Sequence, residues 1–358
     1  MKIKYILSIA VLSILAGCKK DNYDAPGLRL NGRVVYQGEA INVEQPFENP
    51  ANIELWQPGF GKLAAIPMPI AQDGSYSQEL FAGNYKLTMQ PGNGPWMWRT
   101  NAAGKPDTVF LDFKGNQTLD LEVTPYYLIH NFTNAVKGRN IIANFKADKI
   151  ITDANAKDIE YVNLYVNKTQ FVSGGYNIAS RRYNNDAIID PSNVTFNKFI
   201  PTLSPTQDYV YARIGLKIAG VDKLVFSPVQ KVQLQPIANY QRIQAETGTL
   251  VNAITDDKNT YVQGMTTVGS SVTLTFTAPA AGNYMVNVVG ASDIAGTTQT
   301  ITIDGVAKKV VYPKQGATDF DIVPIEFTLT AGAHTVVISK TATDPGAAQL
   351  DYVDFFTY

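Results

Sequence analysis

Apolar and polar positions alternate with period two along most of the chain, in short runs separated by Gly, Pro, Asn and Asp. Period two turns one face of a run toward a core and the other toward water, so the pattern predicts strands. Leu28–Tyr36 is the first, with Gly32 at its centre, and Asn52–Trp56, residues 75–77 and residues 119–123 follow. Asp73-Gly74 predicts a tight turn before Ser75, and residues 81–88 read as a turn opening another strand. Residues 161–166 and 209–216 continue the series. In residues 271–277, Val272, Leu274 and Phe276 alternate with threonines. Asp304-Gly305 lies between two alternating runs, residues 300–303 and 306–311, which is the strongest hairpin signal in the chain. No window has a convincing 3.6-residue period, and only residues 153–158 suggest a short helical turn.

Turn residues recurring every ~8–12 positions point to sandwiches rather than parallel sheets. The 358 residues suggest two or three domains. The expected fold class is all-β, with tandem β-sandwiches over residues 28–124, 125–236 and 237–358. Pro228 and Pro236 bracket the passage into the last unit, where Trp disappears and Thr, Val and Ala dominate.

The first residues bear on the compartment. Met1 to Lys4 is basic, residues 5–15 are apolar, and Ala16-Gly17-Cys18 follows. That order reads as a secretion signal, residues 1–17, too short to remain in the membrane as a span. Residues 15–18, Leu-Ala-Gly-Cys, resemble a bacterial lipobox, which implies removal of the leader and acylation of Cys18. Cys18 is the only cysteine, so no intramolecular disulfide is available to it. Residues 18–27 read as a polar tether. Acidic residues just after the cysteine resemble a surface-export signal of Bacteroidota lipoproteins, although Lys19 and Lys20 come first. The expected location is the outer membrane, lipid-anchored and facing the exterior.

Composition narrows the function. A net charge of -1 gives no electrostatic drive toward nucleic acid. The only histidines, His130 and His334, are too few and too far apart in sequence for a metal cluster or a triad. No nucleophile elbow, phosphate loop or dinucleotide fingerprint occurs. The expectation is a binding protein and not an enzyme.

Residues 32–35, 53–56, 73–76 and 81–85 resemble the carboxypeptidase-regulatory, transthyretin-like sandwich. Together with residues 123–127 they also resemble a family of Bacteroidota surface lipoproteins encoded beside starch-utilisation-type outer-membrane transporters, a likeness that covers about residues 28–235. The second unit has the strand density of an immunoglobulin- or fibronectin-type sandwich. Residues 243–246, 281–284, 301–305, 329–336 and 349–353 resemble the family 6 and family 35 carbohydrate-binding modules, which are β-jelly rolls. The resemblance implies a polysaccharide or oligosaccharide partner, captured for an outer-membrane transporter complex. The competing reading is a structural or adhesive lipoprotein whose C-terminal unit docks a partner protein.

The same resemblance implies a structural calcium ion held by Gln244, Glu246 and Asp351, with Gln244 and Glu246 two apart on one strand face; calcium prefers an oxygen-only donor set. It also implies sugar contacts. Tyr261 resembles the family's first aromatic, Phe320 its inner aromatic, and Gln349 stands where an Asn is common. The exposed Trp of the family is missing near Ala317. Packing alone would equally account for Tyr261 and Phe320. A further stacking surface is suggested by Trp96 and Trp98, which fall on one side at period two, with Trp56 turned away from Ile53 and Leu55; packing on the next domain is the alternative.

Overall fold

The computed structural model describes residues 25–44, 50–59 and 62–358. The leader and Cys18 lie outside the described residues. Among the described residues the only helical elements are two 3-10 turns, Asn185–Ala187 and Ala245–Thr247, and everything else regular is strand. Residues 153–158 form a turn and no helix. No helix among the described residues is long and apolar enough to cross a membrane.

Alternation translated directly into burial. In Asn52–Trp56, Ile53 and Leu55 are fully buried and their neighbours are not. Leu28–Tyr36 pairs antiparallel with Ser75–Leu80 and parallel with Gln117–Thr118 and Leu121–Glu122. Its Gly32 lies beneath the ring of Tyr76, and a Cβ there would sit 1.9 Å from the Leu119 carbonyl oxygen, so only glycine fits. A second sheet, of Ala65–Pro69, Asn52–Trp56, Gly83–Thr88 and Val109–Phe113, covers it.

The middle unit sets a three-stranded sheet, Tyr127–Lys137, Asn140–Lys149 and Val194–Phe199, against a sheet centred on Ile159–Asn167 and Tyr209–Ile218. The latter sheet also takes a strand from the first unit: Val43 and Asn42 pair with Val225 and Phe226. Most of the buried apolar residues of the first two units accordingly form one continuous cluster from Leu30 to Leu234, with Tyr165, Val172, Leu224 and Phe226 in a smaller one beside it. Arg213 locks this junction. It is fully buried, stacks 4.2 Å from the Phe226 ring centre, and donates to the carbonyls of Val43, Gln72 and Ser227 and to Gln72 Oε1.

The last unit has its own core, built from two sheets. One contains Ala238–Gln244, Ile254–Thr255, Val262–Gln263, Gln349–Thr357, Gly282–Ala291 and Asp321–Leu329; the other contains Thr249–Val251, Ser271–Ala278, Gly332–Ser339, Thr298–Ile303 and Val306–Val311. Asp304 and Gly305 both have positive φ, 48° and 83°, and close the hairpin that joins Ile303 to Val306, as the dipeptide requires. Val286, Val288, Val353 and Phe355 point into the core. On the opposite face, Asn287 and Phe356 are buried against Asn140 and Phe199 of the middle unit, and Asp354 is buried beneath Tyr240 and Arg242.

That seam is specific. The Asn140 and Asn287 side-chain amides exchange two hydrogen bonds, of 2.6 and 3.0 Å. Tyr183 Oη donates to Asp321 at 2.7 Å, and Arg181 reaches Asp319 at 2.7 Å and Asp321 at 3.2 Å. The Arg181 Nε–H does not point at the Asp321 carboxylate, so that second contact is an ion pair by distance only.

Candidate functional site

Tyr261 is carried by the loop between Ile254–Thr255 and Val262–Gln263. Asp256 fixes this loop: its carboxylate accepts from the backbone N–H groups of Lys258, Thr260 and Tyr261 and from the Thr260 hydroxyl. The antiparallel pairing of Val262 with Leu350 then sets Tyr261 beside the start of the last strand, at the level of Asp351. Phe320 arrives from a different segment, directly before strand Asp321–Leu329. The two rings meet with centres 5.3 Å apart and planes tilted by 58°. Both side chains are half-buried. The structure thus brings together Tyr261 and Phe320 from separate stretches of chain, with Asp351 at the level of Tyr261 and Gln349 two residues before it on the last strand.

Phe320 opens onto a cavity of about 260 Å³ at the seam between the middle and last units. Its charged lining is Arg181, Arg182 and Lys198 from the middle unit and Asp319, Asp321 and Asp351 from the last. Positive and negative groups are therefore balanced, and the wall offers both hydrogen-bond donors and acceptors. Arg182 is spread over the Tyr161 ring, 3.8 Å from its centre. Lys198 is half-buried and makes no hydrogen bond or ion pair among the described residues; burial pulls its ammonium pKa down, and neighbouring Arg181 adds to this. Tyr352 completes the wall and lies under the Arg242 guanidinium at 3.6 Å.

The expected cation ligands are differently arranged from the sequence expectation. Strand Ala238–Gln244 ends at Gln244, and Glu246 belongs to the 3-10 turn Ala245–Thr247, so the two do not share a strand face. Gln244 is exposed, and its amide makes no hydrogen bond among the described residues. Glu246 and Asp351 do lie close. Burial pushes the Asp351 carboxyl pKa up, and the charge of Glu246 pushes it further. Glu246 Oε2 and Gln349 Oε1 are buried acceptors without a hydrogen-bond donor. Carboxylate and amide oxygens are the donor type that calcium takes, and Gln349 and Asp351, two apart, fall on one face of the last strand. No group of three or more His, Cys, Asp or Glu side chains suited to a metal occurs among the described residues.

Trp96 and Trp98 are not a stacking surface. They are 4% and 7% exposed and belong to the core shared by the first two units. Trp98 Nε1 donates to the Asp107 carbonyl at 2.9 Å, and Trp96 pairs with Pro125 across a two-stranded ladder. Period two correctly put both rings on one side, but alternation alone does not say which side faces water. Trp56 is half-buried. Sequence reasoning missed Asp256, Arg181, Lys198 and Asp321. The middle-unit residues among these act at the cavity only because another unit lies against them, which no local pattern carries.

Residues 28–124 match the family described as protein of unknown function (DUF3823), N-terminal domain, and residues 127–231 match its companion domain of unknown function, DUF3823_C. A DUF3823 family protein from Parabacteroides merdae is 33% identical and aligns over 59% of this chain and 100% of its own, with a TM-score of 0.51. Another, from Bacteroides ovatus, is 31% identical over 58% of this chain and 100% of its own, with a TM-score of 0.51. A family 35 carbohydrate-binding module from Clostridium thermocellum aligns at 25% identity over 34% of this chain and 100% of its own, with a TM-score of 0.31. No curated protein matches the chain.

Proposed function

The chain belongs to the DUF3823 family, and from that premise we propose that it is a glycan-binding surface lipoprotein whose sugar site is the Tyr261–Phe320 end of the last unit. The observation that carries the reading is the meeting of these two rings, at 5.3 Å, above a cavity with a balanced donor and acceptor lining. A pyranose has apolar C–H faces and a rim of hydroxyls, so it needs an aromatic ring and polar groups of both kinds together. The Asp256 loop presents Tyr261 in a fixed position, which limits the entropy lost on binding. The proposed task is capture.

In this reading Cys18 carries the lipid that holds the protein to the outer membrane, with the folded units facing the exterior. A membrane-held binder keeps weak sugar contacts at high local concentration. The captured polysaccharide passes to an outer-membrane transporter complex. A calcium ion at Glu246, Asp351 and the Gln349 amide oxygen would neutralise the two carboxylates and fasten the opening 3-10 turn to the last strand.

The test is affinity electrophoresis of the full chain in detergent, through gels containing xylan, galactomannan, starch, pectin or chondroitin sulfate. At least one polysaccharide is expected to retard the protein, and Tyr261→Ala to weaken that retardation by roughly tenfold in affinity. No retardation by any of the five, together with co-purification of an outer-membrane protein, would instead establish the scaffold role. Calcium has its own measurement. Adding a chelator to protein purified with calcium is expected to lower Tm by several degrees, on the order of 1 kcal/mol of lost stability, and Glu246→Gln to abolish the difference; an unchanged Tm removes the ion.

A further inference from the structure

A second, larger cavity of about 750 Å³ opens on the same seam, between Phe199, Pro201 and Thr202 of the middle unit and Ala238, Asn239 and Tyr240 of the last. Tyr240 is 44% exposed, yet it is held on every other side. Phe199 stacks on it at 5.9 Å and 21°, and Phe356 lies 6.5 Å away. Its hydroxyl donates to Asp354 at 3.0 Å, and Asp354 in turn receives both arms of Arg242, at 2.8 and 3.0 Å. An exposed aromatic ring locked in one orientation is a prepared stacking platform, because the ordering entropy has been spent in folding.

The two cavities are neighbours. Lys198 lines the first and Phe199 the second, from adjacent positions of strand Val194–Phe199. Arg242 lines the second and rests on Tyr352, which lines the first. This stacked pair joins the two linings. Resting on the glycan reading above, we infer that the seam is one extended site for a sugar chain, with one ring at Tyr261–Phe320 and a further ring of the same chain on Tyr240. The occupant is a polymer because Tyr261 stands at the level of Asp351 and Tyr240 against Phe356, five residues on along the last strand and roughly 17 Å away, farther than one sugar ring reaches. Half of the second platform, Phe199 and its neighbours, comes from the DUF3823_C region, so the family domain takes part in binding and is more than a spacer.

The test uses the full chain and graded fragments, from two sugars to ten or so, of whichever of the five polysaccharides retards it, with affinities from calorimetry. Wild-type affinity should rise with fragment length before levelling. Tyr240→Ala should cut affinity for the long fragments by roughly tenfold and leave that for the disaccharide unchanged. Tyr240→Phe keeps the ring and should bind long fragments normally, which separates loss of stacking from loss of the Asp354 bond. If Tyr240→Ala does not fold, Thr202→Arg, at an exposed position, fills the cavity and should produce the same length-selective loss. Affinity independent of length, or long-fragment binding untouched by both variants while Tyr261→Ala abolishes it, overturns the extended site and leaves the glycan reading standing. Absence of binding to every polysaccharide overturns both.

Discussion

Exchanging Arg213 for methionine should lower the stability of the paired first and middle units by roughly 3 kcal/mol, although methionine fills a similar apolar volume. Buried charges are often dispensable, because burial costs about as much as the ion pair returns. Arg213 differs in making no ion pair among the described residues, with only the more distant charge of Glu44 favouring it. Its donors satisfy the backbone carbonyls of Val43, Gln72 and Ser227 and the Gln72 amide oxygen, drawn from both units. Removing the guanidinium relieves its desolvation but strands several buried acceptors, each costing about 1–3 kcal/mol when left without a donor. The stranded acceptors outnumber the single charge, so the balance is destabilising. Arg213→Lys should do no better, since one ammonium cannot fork between the two strands. The measurement is urea denaturation followed by tryptophan fluorescence, because all three tryptophans lie in residues 28–234. A methionine variant within 0.5 kcal/mol or so of wild type would show that the backbone pairing of Val43 with Val225 suffices without the arginine.

Arg213 also marks where sequence reading ends. It sits in a run, residues 209–216, whose strand character is legible from alternation, and the strand is indeed Tyr209–Ile218. A charged residue in such a run reads as solvent-facing. It is buried because the loop carrying Gln72 and the strand Asn42–Val43 fold back onto it, a long-range event with no local signature. The Asp304-Gly305 hairpin, by contrast, was fully legible, since two residues of positive φ are all it needs. At the site, Tyr261, Phe320, Gln349, Glu246 and Asp351 could be named from their resemblance to a known module. The register of the last strand then gathers them at one end. Missing from that list are Arg181, Lys198 and Phe199, which belong to a different unit and enter the site only through the seam. Trp96 and Trp98 show the converse error: aromatic rings at period two invite a surface reading, and the sequence does not reveal that Pro125 and the second unit cover them.

Asp321 holds the other junction, and its replacement by alanine should cost about 3 kcal/mol. Its carboxylate is the acceptor for Tyr183 Oη and a counter-ion for Arg181, both on the middle unit. Alanine would leave a buried hydroxyl without an acceptor and Arg181 with Asp319 alone, which is half exposed and better screened. Asparagine keeps the shape and one acceptor oxygen, so Asp321→Asn should cost less than half as much. The sign of the pH dependence follows from burial, which raises the Asp321 carboxyl pKa above its ordinary value even though Arg181 opposes it. A carboxyl whose folded pKa is raised binds its proton more readily folded than unfolded. Its contribution to stability is therefore greatest below the unfolded pKa of about 3.9 and declines as pH rises through the folded value. Mild acidification should not open this seam, unlike a surface ion pair. The last unit has a separate core, so Asp321→Ala should loosen the seam without unfolding that unit. Limited proteolysis is expected to cut near residues 235–238 in the variant and not in wild type, and long-fragment glycan affinity should fall with it. Equal protease resistance and unchanged affinity would mean that the Asn140–Asn287 amide pair and the Phe199–Tyr240–Phe356 stack hold the two units together without Asp321.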